Sequence, residues 1–155
     1  MNIFLLDKDP KKCATYHCDK HVVKMILESA QMLCTAHWVT GSSAPYKPTH
    51  IHHPCSIWVR ESIDNYTFLC SLGYNLCLEY TSRYGRIHKT QKVIEWCIQN
   101  KPNVERKGLT PFAQAMPEEY KNKSPVKAYR SYYAGEKKDL LRYTNSLVPS
   151  WLKSS

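Results

Sequence analysis

The chain has 155 residues, enough for one domain with a real core. A hydrophobic share of 43% argues against disorder, and no apolar run approaches the roughly 18 residues of a membrane span. The formal net charge is +9, from 22 Lys and Arg against 13 Asp and Glu. It points to a polyanionic partner, nucleic acid and DNA first of all, or to a phosphorylated nucleotide.

Residues 2–6 are a short apolar run, read as a strand or an extended segment. Asp7-Lys8-Asp9-Pro10 is a turn. A helix begins near Pro10 or near Asp19 and runs to about Trp38, and a loop rich in Gly, Ser and Pro follows. His53-Pro54 restarts a helix, Pro suiting its first position. The stripe Trp58, Ser62, Tyr66, Leu69, Gly73, Leu76 and Tyr80 predicts one long helix stopped at Gly85, with close packing at Gly73. A shorter helix is expected from Thr90 to Gln99, closed by Lys101-Pro102. Residues 102–124 read as irregular. Their apolar middle, Leu109 to Met116, predicts a loop packed onto the body and bordering a site. Ser124-Pro125 opens a last helix to about Tyr143. The expected fold is mainly α: a compact single-domain helical fold over residues 1–155 with a short N-terminal extended segment.

The first residues, Met-Asn-Ile-Phe-Leu-Leu-Asp, are too short and wrongly flanked for a signal peptide, so the expected location is the cytoplasm, that of the host if the chain is viral. Seven Cys is an odd number, and disulfides are not expected there. Cys70, Cys77 and Cys97 lie among apolar residues and read as buried. Cys13, Cys18 and Cys55 lie near His and have metal-binding potential.

Chemistry concentrates in Tyr16 to Leu33. At 3.6 residues per turn, Val22, Ile26, Ala30 and Leu33 share one side, and His17, His21, Lys24, Glu28 and Gln31 descend the other beside Lys20. Such a face is either a solvated surface or a set of groups for proton transfer and anion handling. A second His cluster, His50, His52 and His53, favours the latter. His17 and His21 have the i, i+4 spacing of zinc ligands, completed by His50, His52, His53 or Cys55. Lys20 and Lys24 on the same face oppose a divalent cation, so the preferred reading has no metal and no cofactor. In that reading His21 is acid or base, Lys20 or Lys24 a phosphate ligand or nucleophilic amine, Glu28 the carboxylate, and Arg60 a phosphate ligand. Tyr129-Arg130-Ser131-Tyr132-Tyr133 with Lys127, Lys137 and Lys138 interleaves aromatic and basic side chains, which suits base stacking with phosphate contact. The competing reading makes Tyr129 and Tyr133 core residues. Tyr84 to Lys89 is a similar, weaker basic segment.

The order of these features resembles that of small helical pyrimidine-dimer DNA glycosylases of phages and bacteria. The matching elements are the extended start, the helix with Glu28, Tyr46-Lys47 with His53-Pro54, the long helix from Glu79 to Arg83-Tyr84-Gly85, and the aromatic-basic segment Tyr129 to Tyr133. Cys18-Asp19-Lys20-His21 and Ala115-Met116-Pro117 are also similar to elements of small tailed-phage proteins. The first resemblance implies DNA repair by base excision, an N-glycosylase with AP lyase activity. Members of that family use the N-terminal α-amine as nucleophile after Met removal. Here Asn2 follows Met1, and a large second residue usually prevents removal, which moves the amine role to Lys20 or Lys24. The expected roles are then Glu28 as base, His21 and His53 for proton transfer, and Arg60, Arg83, Lys127, Arg130 and Tyr132 on nucleic acid. Two other readings remain: a nucleotide or RNA phosphodiester hydrolase using His21, His53 and Lys24, and a non-catalytic viral nucleic-acid-binding protein.

Overall fold

The computed structural model describes residues 1–153. The N-terminal residues are extended, pair with no strand among the described residues, and carry Ile3, Phe4, Leu5 and Leu6 into the core. Asp9 caps α1 (Pro10–Tyr16) by accepting from the Lys11 N–H, with Pro10 at the first position. Both predicted starts of the first long helix are used. The chain is extended at His17 and Cys18, then resumes as α2 (Asp19–Val39).

The long second helix expected after His53 is two helices. α3 (Pro54–Glu61) ends at Ser62, whose extended backbone breaks the spiral. The Ser62 hydroxyl accepts from the Asp64 N–H, capping α4 (Ile63–Tyr84), and donates to the Gly108 carbonyl at 2.8 Å. Periodicity carries across this break because both helices keep their apolar side inward, so pattern alone hides it. Gly85 closes α4 in the left-handed conformation, as expected of a glycine stop. α5 (Gln91–Gln99) follows.

Gly73 lets three helices meet. A β-carbon there would lie 3.1 Å from Ile94 of α5 and 3.6 Å from Ser29 of α2. Trp58, Phe68 and Phe112 interlock at the other side, stacked or edge-on within 6.2 Å, and bring in the apolar loop of residues 109–116. That loop packs on the body as expected. α6 (Pro125–Glu136), capped by Ser124, is shorter than predicted and gives way to a 3-10 turn at Lys138–Leu140. A short α7 (Ser150–Lys153) ends the described chain. The fold is mainly α, and among the described residues no helix is long and apolar enough to cross a membrane.

Candidate functional site

The polar face of α2 is not one environment. At its start, His17 and His21 are buried. His17 Nδ1 lies 2.7 Å from the Cys13 carbonyl, and its enclosed Nε2 has no hydrogen-bond partner among the described residues. Burial lowers its pKa to about 4. His21 stacks on Phe4 with ring centres 4.4 Å apart, and its Nδ1 lies 2.7 Å from the Tyr133 hydroxyl. Burial, followed by the charges of His17, Lys137, Lys24 and Lys20, lowers its pKa to about 3. A ring neutral throughout the physiological range and sealed behind Phe4 and Tyr133 is not a proton donor to an outside substrate. The acid/base role expected of His21 is corrected on that ground.

Two turns further on, Glu28 is buried yet highly charged in its surroundings. Oε1 lies 3.3 Å from the α-amino group of Met1 and accepts the Asn2 N–H at 3.1 Å. Oε2 lies 3.7 Å from Lys24 Nζ, whose side chain is 61% exposed. Asn2 holds the extended segment in place. Its amide donates to the Ala115 carbonyl at 2.9 Å, and its Oδ1 accepts from the Tyr129 hydroxyl at 2.8 Å. The Cys55 thiol, its pKa raised to about 11 by burial, lies 3.7 Å from the same oxygen. α2, α3, α6 and the 109–116 loop thus meet around the first two residues.

His53 caps α3: its Nδ1 accepts the Cys55 N–H at 3.1 Å. In the neutral ring the proton therefore sits on Nε2, which makes His53 a donor rather than a base. Burial, then the Met1 amino group and His50, lower its pKa, while Glu28 opposes them. Arg60, two turns along α3 from His53, is half-buried, with Nη1 enclosed and lacking a hydrogen-bond partner among the described residues. Burial lowers its pKa. Lys20 is exposed two turns before Glu28.

Two of the expected nucleic-acid contacts turn inward. Arg83 is 3% exposed; it donates to Glu79 at 2.9 Å, Asp19 at 3.0 Å and the Thr15 carbonyl at 3.0 Å. Its guanidinium clamps α1, α2 and α4 together and reaches no phosphate. Arg130 donates to the Leu6 carbonyl at 2.8 Å and to Asp7 at 3.0 Å, and lies over the Tyr16 and Trp151 rings. It ties α6 to the N-terminal segment, with its side chain 30% exposed. Tyr129 and Tyr133 are core residues. Tyr132 is half-buried, tilted against Tyr120 and covered by Lys137 Nζ at 5.0 Å. Lys127 is exposed.

His17 and His21 share no third metal donor: among the described residues no group of three His, Cys, Asp or Glu is placed to hold a metal ion. Sequence reading set the N-terminal amine aside as nucleophile and missed Asn2 and the Tyr129 hydroxyl as parts of the site. The one available signal was Asn2, a polar residue heading an otherwise apolar run. No family model, curated protein or solved structure matches the chain.

Proposed function

We propose that the protein is a metal-independent DNA-processing enzyme of base-excision type, an N-glycosylase with lyase activity, working in the cytoplasm. The supporting observation is the carboxylate of Glu28 set between the Met1 α-amine at 3.3 Å and the amine of an exposed lysine at 3.7 Å. In this reading Lys24 Nζ is the nucleophile, carried on a side chain that is 61% exposed. Glu28 takes a proton from the attacking ammonium, and the nitrogen lone pair forms a bond to C1′ of the sugar. The N-glycosidic pair leaves with the base, which takes up through water the proton shed by the newly bonded nitrogen. Glu28 gives its proton to O4′ as the ring opens to an iminium on Lys24, and the freed carboxylate then takes a C2′ proton as the 3′ phosphate leaves. The Met1 amine offsets the buried negative charge and fixes the carboxylate's orientation. Arg60, with no ion-pair partner among the described residues, supplies a phosphate contact.

The test is borohydride trapping in EDTA on a panel of duplexes carrying damaged or modified bases. The expected result is a covalent adduct on Lys24 by mass spectrometry, reduced about 100-fold or more in Glu28→Gln. No adduct and no abasic product across the panel overturns the reading. Full nucleic-acid binding and unchanged biological activity in Glu28→Gln would favour a non-catalytic binder instead.

A further inference from the structure

The segment after Gly85 is not used by the chemistry above, yet it is built with unusual firmness. Gly85, at φ 71°, turns the chain off α4. His88 then anchors it: Nδ1 accepts the Thr90 N–H at 3.1 Å, leaving Nε2–H to donate to the Val23 carbonyl on α2 at 3.2 Å. The His88 ring meets Tyr80 edge-on at 4.8 Å, and Thr90 is fully buried, its hydroxyl 2.9 Å from that of Tyr46. Between these anchors Ile87 stands 70% exposed. Val23 and Leu27, one turn apart on the α2 surface to which His88 ties the loop, are each 40% exposed. A lone exposed aliphatic residue is ordinary. An isoleucine held out by a loop pinned to the helix that carries two further exposed aliphatic side chains is an apolar prominence.

Its rim is cationic. Lys20 and Lys24 flank Val23 on α2, and Arg86 and Lys89 flank Ile87. Arg86 is steadied by donation to the Tyr80 hydroxyl at 3.1 Å. Residues 85–89 contain no acid, and the hollow beside Ile87 holds Lys89 and Lys92 with a single Glu95. Apolar tip and basic flanks match a duplex, in which base steps are apolar and the strands to either side are polyanionic. Lys24 belongs both to this rim and to the Glu28 site.

We propose that the Gly85–Lys89 loop is a wedge that inserts Ile87 into the base stack of duplex DNA, with Lys20 and Lys89 on the flanking phosphates. This rests on the base-excision reading and supplies what that reading needs, a means of opening the stack beside the reacting sugar. The probe is a duplex with 2-aminopurine next to an abasic-site analogue, compared with the same strand alone. The native protein should raise the 2-aminopurine fluorescence of the duplex. Ile87→Ala should abolish the rise and weaken duplex binding about 10-fold, leaving single-strand binding within about 2-fold. The melting temperature should be unchanged because the side chain is solvent-exposed. If the native protein binds duplex and forms the adduct but Ile87→Ala does the same with equal fluorescence, the wedge is overturned and the enzymatic reading stands. If the native protein leaves the duplex unbound, both fall. If Ile87→Ala leaves DNA binding intact and instead dissociates a dimer in sedimentation, the face is a contact between copies and the wedge is again overturned.

Discussion

The two halves of the α2 polar face obey one periodicity and meet opposite fates. His17 and His21, at and before its start, are sealed under Phe4 and Tyr133 and held neutral. Glu28, two turns on from His21, lies 3.3 Å from the Met1 amine and 3.7 Å from Lys24 Nζ. The difference lies in what the N-terminal segment lays over each half. Over the first half it places an aromatic ring, and at the second it ends in an ammonium group. A polar stripe on a helix therefore does not announce a surface; it announces only a side that the helix's own core leaves to something else.

The sharpest way to break the sealed half is through its clamp. Arg83→Ala leaves Asp19 and Glu79 without their buried partner and should cost about 3–5 kcal/mol of stability in denaturant unfolding, while DNA affinity of the protein that remains folded is unchanged. A loss of DNA affinity without loss of stability would return Arg83 to the binding face.

Acid separates the halves next. His17 and His21 have folded pKa values of about 4 and about 3 against an ordinary 6.5. Both are depressed, so their contribution is complete above 6.5 and is lost as the pH falls toward those folded values. Near pH 5 the unfolded chain binds about two more protons at these sites than the folded one. Unfolding free energy should then fall by about 2.7 kcal/mol per pH unit from this pair, beyond what the carboxylates add. His21→Gln should remove about half of that slope; an unchanged slope would mean the ring is already protonated in the fold.

The smallest effect contrasts two cations of α6. Lys127→Ala should flatten log affinity against log salt by about 0.9, the release of one counterion contact. Arg130→Ala should leave that slope alone and lower the melting temperature, since its donors serve Leu6 and Asp7. Reversal of the two results would place Arg130 on the DNA after all.

Local chemistry was enough for much of this architecture. Asp9-Pro10, His53-Pro54 and Ser124-Pro125 mark helix starts because a cap acceptor and a missing N–H suit the first turn whatever surrounds them. Gly85 and Gly73 were legible because one needs a left-handed backbone and the other a close crossing. The grouping of Lys24 with Glu28 also follows from i, i+4 spacing alone. Long-range partners decided the rest. Whether His21 meets water depends on Phe4 and Tyr133, the latter 112 residues away. Whether Arg83 or Arg130 meets a phosphate depends on Asp19 and Asp7, acids that nothing in the local sequence couples to them. Met1 enters the site only because Tyr129, Ala115 and Cys55 hold Asn2 against α2. Helix periodicity reports which side of a segment is apolar; burial of the other side is set by what the folded chain brings back over it.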